Sequence, residues 1–146
     1  MKIKFLRDTA QMPTIGSEYA AGQDLYAAFP QESDRVTIPA HKTVMIPTGI
    51  AIAIPHGYWG GVYARSGLAT KQGLRPANCV GVIDSDYRGE VFVALHNDSE
   101  DPKLVRNGDR IAQLIIHKVE LFEWEEVFEL DETERNAGGF GSTGSN

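Results

Sequence analysis

The stretch NCVGVIDSDYRGEV, residues 78–91, contains the pattern that decides the fold. The apolar run Cys79–Ile83 predicts a strand, and the polar residues 84–89, which end in a glycine, predict a tight turn. A second apolar run begins at Val91 and predicts a second strand. Strand, turn and strand in this order predict a β-hairpin with a carboxylate, Asp84, at its base.

Similar short runs recur along the chain, separated by Gly, Pro, Asn and Asp, and they predict an all-β barrel or sandwich. Helical periodicity is almost absent, although Ser66–Gln72 is predicted to form one short helix, with Ser66 as its N-cap and Gly73 as its stop. The predicted strands are Ile3–Leu6, Val36–Ile38, Val44–Ile54, Tyr58–Tyr63, Cys79–Ile83, Val91–Leu95, Ile111–Val119 and Leu121–Leu130.

Length and composition limit the possible organisation and partners. The 146 residues are expected to form one β domain over 1–130, followed by a flexible linker and a glycine-rich C-terminal arm over 131–146. The net charge of −6 argues against nucleic acid as a partner, because binding the phosphate backbone needs a basic surface. No apolar stretch has the length expected of a membrane span. The single cysteine fits a reducing compartment, so a cytoplasmic protein is expected.

Cysteine, histidine and aromatic residues are expected to be structural. Cys79 is predicted to be inert within its strand, and no histidine has a second ligand at metal spacing. Four aromatic residues are predicted to lie in the core or at an interface, namely Trp59, Phe122, Trp124 and Phe128.

Three segments place polar side chains where each allows two interpretations. Asp24, in AAGQDLYAA, either caps its own turn or faces a metal-bound water. Arg65, before Ser66 and Gly67, either is solvated beside an ordinary helix start or belongs to an anion site. Gln113 interrupts an apolar strand, where it either satisfies backbone groups or reaches a ligand.

The predicted hairpin also has a chemical interpretation. Asp84 directly follows Val82 and Ile83, so we expect it to be partly desolvated. Such a carboxylate can hold a water molecule and accept its proton, and Tyr87 offers a flat face beside it. The alternative is a hairpin whose acidic residues only shape the turn.

The segment RNAGGFGSTGSN, residues 135–146, has a composition that by itself favours disorder. However, Arg135 can clamp phosphate, Phe140 can stack on a base, and the hydroxyls of Ser142 and Thr143 can join glycine N–H groups in binding an anion. We therefore expect an arm that is mobile when empty and ordered over a nucleotide.

Five segments in this order resemble the five motifs of the trimeric dUTPase family: AGQDLYAA, ARSGLA, GVIDSDYRGEV, GDRIAQLI and RNAGGFGSTG. The resemblance spans Ala21 to Gly144. It implies a jelly-roll-like β domain, a homotrimer with shared active sites, and hydrolysis of dUTP to dUMP and pyrophosphate with Mg²⁺. Such an activity keeps uracil out of DNA and supplies dUMP for dTMP synthesis.

The resemblance also implies a role for individual residues. Asp84 matches the general base that activates a water for attack on the α-phosphorus, and Tyr87 matches the ring under the deoxyribose. Asp24 matches the carboxylate that holds Mg²⁺ through water, without being a direct ligand. The other implied substrate contacts are Arg65, Ser66, Gly67 and Gln113 to phosphates, Asn78, Gly81 and Phe92 to uracil, and Arg135, Phe140, Gly141, Ser142 and Thr143 from the arm.

Small departures and two alternatives accompany the resemblance. Gln23, Ala64 and Asn136 differ from residues that are frequent in the family, and Asn136 is expected to stiffen the hinge of the arm. One alternative is a dCTP deaminase-like enzyme, which IDSDYRG, residues 83–89, does not favour. The other is a regulatory binding protein built on the same fold.

Overall fold

Short antiparallel strands form most of the regular structure in the computed structural model, which describes residues 1–139. The prediction of an all-β domain with one short helix is confirmed for these residues. The elements in chain order are β1 (Lys2–Phe5), β2 (Thr14–Ile15), β3 (Gln23–Tyr26), β4 (Arg35–Ile38), β5 (Thr43–Pro47), β6 (Ile50–Ala53), β7 (Tyr58–Tyr63), α1 (Ser66–Gln72), β8 (Leu74–Pro76), β9 (Val80–Ile83), β10 (Phe92–Asn97), β11 (Lys103–Arg106) and β12 (Arg110–Lys118).

The strands form four antiparallel groups around one core. The largest has the order β2-β3-β12-β7-β9, and a second has the order β5-β10-β8. Two pairs, β1-β6 and β11-β4, complete the described sheets. Alternate side chains point inward, as strand geometry requires, and β10 shows this with Val93, Leu95 and Asn97 buried. All four groups contribute to the same apolar cluster, which includes Leu25, Ile38, Ile46, Ile52 and Leu114.

The predicted hairpin over residues 78–91 is wrong, although its turn is present. β9 pairs with β7, whereas β10 pairs with β5 and β8, so the two strands lie in different sheets. The reason is that Val91 exchanges backbone hydrogen bonds with the β5–β6 turn, donating to Ile50 (2.9 Å) and accepting from Thr48 (3.3 Å). Residues 84–91 therefore cross from one sheet to another.

The helix has the predicted bounds but a different N-cap. Arg65, not Ser66, occupies the N-cap position, and it makes no side-chain capping bond to the helix. Gly73 ends the helix as predicted, in the left-handed region at φ 69°, where glycine has no side chain to clash. Its N–H donates to Ala69 O at 3.1 Å. This is the one helix in residues 1–139, and it lacks the length and hydropathy to cross a membrane.

The predicted strand Leu121–Leu130 is also wrong for the described chain. The residues after Lys118 up to 139 form no strand, and their aromatic side chains are exposed, with Trp124 at 99%. Phe122, Trp124 and Phe128 therefore do not lie in the core, and their place at an interface stays a prediction. The domain boundary at residue 130 likewise stays a prediction.

Two smaller corrections concern strand ends. The run Val44–Ile54 is divided between β5 and β6 by a turn at residues 48–49. Cys79 lies before β9, exposed and in the left-handed region at φ 61°, so it is not a strand residue.

Trp59 is partly buried and stacks on His117, with ring centroids 4.6 Å apart.

Asn97 is a fully buried polar residue, and we predict that Asn97→Ala lowers the free energy of unfolding by about 2–3 kcal/mol. Its amide donates to Ile38 O (3.1 Å) and Asp101 O (2.8 Å) and accepts from Ser99 N (3.0 Å). Alanine would leave these groups unpaired in the core. Denaturant unfolding at one protein concentration measures the change, with Ser33→Ala as an exposed control expected within about 0.5 kcal/mol of the parent. Equal stability of both variants would contradict the prediction.

Candidate active site

One cavity of about 280 Å³ contains five of the predicted site residues. Asn78 comes from the turn before β9, Gly81 from β9, Asp84 and Tyr87 from the crossing segment, and Phe92 from the start of β10. The structure therefore brings together the residues predicted to contact the base, the sugar and the attacking water. The cavity exists because β9 and β10 diverge into different sheets after Asp84.

The wall formed by β9 combines Gly81, which has no side chain, with a free strand edge. β9 pairs with β7 on one side and is the last strand in its described sheet, so its other edge is free to bond a ligand. A Cβ added to Gly81 would lie 3.2 Å from Val62 Cβ and 3.3 Å from Asn78 Nδ2. This closeness leaves little room for a side chain and keeps Asn78 beside the free edge.

Tyr87 is fixed by its own loop. Its N–H donates to Asp84 O at 3.2 Å, and its hydroxyl donates to Glu90 O at 2.9 Å. The ring lies directly over Gly89, where an added Cβ would sit 2.6 Å from Tyr87 Cζ. Only glycine at this position allows the ring to lie so close to the backbone, and the ring forms a flat side of the cavity.

Asp84 is exposed in the single chain, so the predicted partial desolvation of its carboxylate is wrong for the single chain. Strand alternation places Ile83 in the core and turns the next residue outward. Within residues 1–139 the Asp84 carboxylate makes no hydrogen bond or ion pair with another side chain. Its lone pairs are therefore available to a water molecule.

A second group of predicted residues lies around Asp24. One carboxylate oxygen accepts from Arg65 Nε at 2.8 Å, and the other accepts from Arg110 Nη1 at 3.2 Å. The Asp24 side chain is only 13% exposed, so it is an internal anchor rather than a solvated turn residue. Two guanidinium groups against one carboxylate leave a local positive charge, which favours an anionic ligand.

Gln113 lies opposite Asp24 in the register of β12 and β3. Its Nε2 donates to Ala64 O at 2.9 Å, which supports the structural interpretation of this glutamine. The same bond ties Ala64, the residue just before Arg65, to β12. Ser66 and Gly67 follow at the exposed start of α1 and accompany this group.

The two groups of residues are separated within one chain. Asp24, Gln113, Tyr63 and Val80 follow one another across β3, β12, β7 and β9. At about 4.8 Å per strand, Asp24 is roughly 14 Å from β9. Neither Arg65 nor Gln113 lines the cavity that contains Asp84. Within residues 1–139, the predicted site residues of one chain therefore fall into two separate groups.

A family model described as dUTPase matches residues 8–144. The chain belongs to the dUTPase family. It is 50% identical over 147 residues to a deoxyuridine 5'-triphosphate nucleotidohydrolase of Desulfitobacterium hafniense (strain DSM 10664 / DCB-2), with 99% of this chain and 95% of that protein covered. It is 48% identical over 144 residues to the protein of the same name from Syntrophotalea carbinolica, with 99% and 96% covered.

A solved structure of the same family confirms the predicted fold. The dUTPase of Staphylococcus bacteriophage 80alpha with dUPNHPP superposes with a TM-score of 0.84 at 28% identity, covering 99% of this chain and 98% of that chain. The jelly-roll-like fold and the family expected from the five motifs are thus both confirmed.

The described residues of this dUTPase do not form a carboxylate-rich metal site. Residues 1–139 contain no group of three or more His, Cys, Asp or Glu side chains suited to holding a metal. Both oxygens of Asp24 are already bonded to guanidinium groups. Mg²⁺ is commonly held by one or two carboxylates, water and substrate phosphates. The side chains around Asp24 therefore fit an ion that arrives bound to a phosphate ligand better than an ion held by the protein alone.

The arm of this dUTPase is described only as far as residue 139. Arg135 Nε donates to Gly138 O at 2.8 Å, so its side chain bonds within its own turn. Asn136 has φ 42° and exchanges two hydrogen bonds with Thr133, at 2.9 and 3.0 Å. This closed turn is consistent with a stiffened hinge, whose effect on closure stays a prediction. The predicted contacts of Phe140, Gly141, Ser142 and Thr143 lie outside the described residues.

Sequence reasoning did not select Arg110 or Glu90 as site residues. Arg110 bonds Asp24 across 86 positions of the chain, and Glu90 bonds Arg7 across 83. Pairs so distant leave no local pattern. The available signal was the position of each residue inside a motif, next to residues that were selected.

We predict that Asp24→Asn lowers the free energy of unfolding by about 1–2 kcal/mol at low salt, because two guanidinium groups would then face each other without a carboxylate. The loss should shrink at about 1 M salt, where charges are screened within a few ångströms. Denaturant titrations at both salt concentrations measure it. The exposed pair of Asp34 and Arg35 supplies the control Asp34→Asn, which should have no measurable effect. A loss independent of salt would contradict this electrostatic role.

Proposed function

We propose that this dUTPase family member hydrolyses dUTP to dUMP and pyrophosphate by attack of water on the α-phosphorus. The observation that carries the proposal is the cavity that combines a free strand edge, a flat tyrosine ring and the unpaired carboxylate of Asp84. The names of the relatives and the nucleotide analogue in the phage structure support the substrate.

Uracil would be recognised by backbone at the free edge of β9. Gly81 lines the cavity at that edge, and Asn78 adds a side-chain amide. Phe92 lines the same cavity. A donor and acceptor pattern set by the backbone matches uracil, whereas cytosine would leave polar groups unpaired. The 5-methyl group of thymine would have to fit against this wall, so we expect thymine to be disfavoured.

The deoxyribose would lie against the Tyr87 ring. The ring cannot move toward the backbone without losing its hydroxyl bond to Glu90 O. A 2′-hydroxyl would meet the apolar ring face and lose its hydration without gaining a partner. Tyr87 therefore selects deoxyribose over ribose.

Asp84 would act as the general base. A carboxylate with free lone pairs can orient a water molecule and take its proton as the oxygen attacks phosphorus. The positive group around Arg65 would balance the triphosphate charge, with Ser66, Gly67 and Gln113 beside it. Mg²⁺ carried by the phosphates would add further charge neutralisation, and Asp24 would face it only through water.

The complete site would form between copies of the chain in a homotrimer. The partial sites lie about three strands apart in one chain, so Asp84 of one copy would meet Arg65 of another. Exposed aromatic residues over 121–130 support burial against a neighbour. The arm, through Arg135, Phe140, Gly141, Ser142 and Thr143, would then cover the nucleotide and exclude water.

The biological role would be to keep uracil out of DNA and to supply dUMP for dTMP synthesis. A cytoplasmic location and the absence of nucleic-acid and membrane partners stay expectations from composition. Deamination and a purely regulatory role stay the alternatives, and no feature of the cavity favours either of them.

We predict that Asp84→Asn lowers kcat by at least about a hundredfold, because the amide cannot accept the proton of water. Binding of a non-hydrolysable dUTP analogue should stay within a few-fold of the parent. Pyrophosphate release and calorimetry measure the two effects. Assays of the parent with dUTP, dTTP, dCTP and UTP define the substrate, and ammonia release from dCTP would identify the deaminase alternative. Unchanged turnover of Asp84→Asn would exclude this residue as the base.

A mixture of two inactive variants tests whether the site is shared between chains. Asp84→Asn and Arg65→Ala should each be nearly inactive alone. When the two are unfolded together and refolded at equal amounts, random trimers should regain about one quarter of the parent activity, because one site in four receives both intact residues. Each variant refolded alone is the control. No recovery from well-formed mixed trimers would mean that Asp84 and Arg65 act from the same chain.

A further inference from the structure

The Tyr87 ring depends on the position of one backbone carbonyl. The Tyr87 hydroxyl donates to Glu90 O at 2.9 Å, and in residues 1–139 this is its one hydrogen bond. The ring also lies against Gly89, which offers no side chain to hold it from the other side. A rotation of the peptide that carries Glu90 O would therefore move the ring within the cavity.

The side chain of Glu90 is anchored in the opposite direction. Its Oε2 accepts from Arg7 Nη2 at 2.6 Å, and its Oε1 accepts from Gly49 N at 2.7 Å. It is 12% exposed, and both carboxylate oxygens are occupied. Although Glu90 lines the cavity, its charge is directed away from a ligand and into this network.

Arg7 connects this anchor to a third part of the chain. Its Nη1 donates to Ala28 O at 2.6 Å, and neighbouring Leu6 donates its N–H to Gly49 O at 2.8 Å. Arg7 does not line the cavity with Tyr87. One guanidinium thus links β1, the segment after β3 and the loop that carries the ring.

The next residue is held independently of the anchor. Val91 donates to Ile50 O at 2.9 Å, and its carbonyl accepts from Thr48 N at 3.3 Å and Thr48 Oγ1 at 2.5 Å. Loss of the Arg7–Glu90 pair would therefore leave the crossing segment attached at residue 91. The peptide that carries Glu90 O would then be held only on its Val91 side, by the bond from Val91 N to Ile50 O. What the loss would release is the Glu90 side of that peptide, together with the Gly89–Glu90 peptide against which the Tyr87 ring lies.

We propose that Arg7 and Glu90 are positioning residues that set the Tyr87 ring and thereby the discrimination between dUTP and UTP. The proposal rests on the proposed function, because it assigns the ring to the sugar. The pair holds the Glu90 side of the peptide that carries Glu90 O through three charge-assisted bonds, while Val91 N–H holds its other side, and Glu90 O bonds the ring. Asp84 lies outside this network, so sugar selectivity should change more than the chemical step.

The first test compares Arg7→Met with the parent trimer. Arg7→Met keeps an unbranched apolar side chain but removes both guanidinium donors. The ratio of kcat/KM for dUTP to that for UTP should fall about tenfold, with most of the dUTP loss in KM rather than kcat. Glu90→Gln keeps an acceptor for Gly49 N and should show a smaller fall. Asp98→Asn, which breaks the comparable Arg75–Asp98 pair outside the cavity, should leave the ratio unchanged.

The second test removes the hydroxyl that transmits the effect. In a Tyr87→Phe background, Arg7→Met should cause little further change in the ratio, because the ring no longer bonds Glu90 O. Equal effects of Arg7→Met with and without the hydroxyl would overturn the proposal. So would a uniform loss of activity on both nucleotides.

The outcomes separate this inference from the proposed function. A parent protein without dUTP hydrolysis would contradict the function itself. A parent that hydrolyses dUTP, with variants of unchanged selectivity, would contradict only the positioning role. Should Arg7→Met not fold, as judged by its melting transition and oligomeric state, Glu90→Gln and its double variant with Tyr87→Phe decide the question by the same ratio.

Discussion

The hydrogen bonds of Val91 to Thr48 and Ile50 are the constraint on which the site depends. They attach the chain to a second sheet only eight residues after Ile83, the last residue of β9. A simple hairpin would have paired β9 with β10 and closed the strand edge beside Gly81. Because the two strands diverge, that edge stays free and the segment between them forms a cavity wall. The motif thus places a free strand edge, a ring and a carboxylate within one short stretch.

Charge is distributed in a way that suits an anionic ligand in an acidic chain. The net charge is −6, yet Asp24 gathers Arg65 and Arg110 into a locally positive group. The carboxylate is mostly buried, so the two guanidinium groups are held in place before any ligand arrives. Such preorganisation lowers the cost of binding phosphate, since the arginines need not be gathered first. Asp24 therefore contributes by orienting cations even where it does not face a metal.

Local features of the fold were predictable from the sequence, and pairing partners were not. The helix over residues 66–72 has the predicted bounds because its stop, Gly73, is a local signal. The strand near Val80–Ile83 was also found, since alternation and β-branched residues are local. The hairpin was wrong because alternation shows that a strand exists without showing its neighbour. Asp84 was expected to be partly desolvated because it follows Val82 and Ile83, yet Ile83 takes the inward position and Asp84 the outward one. Arg110 and Glu90 were missed because each bonds a residue more than 80 positions away.

Three features of the single chain can be explained together. The apolar run 121–130 forms no strand and exposes its aromatic residues, Asp84 is open to solvent, and Arg65 lies strands away from the cavity. Within residues 1–139, each is a surface that lacks its complement. An alternating apolar segment needs a sheet edge to pair with. A carboxylate that acts as a general base gains from an enclosed site. A positive group that binds the phosphates of a nucleotide needs a cavity for the nucleobase beside it. A symmetric assembly in which every copy supplies what the next one lacks would satisfy all three at once. Separate explanations would have to treat each as a coincidence, and this supports the shared-site trimer that we propose.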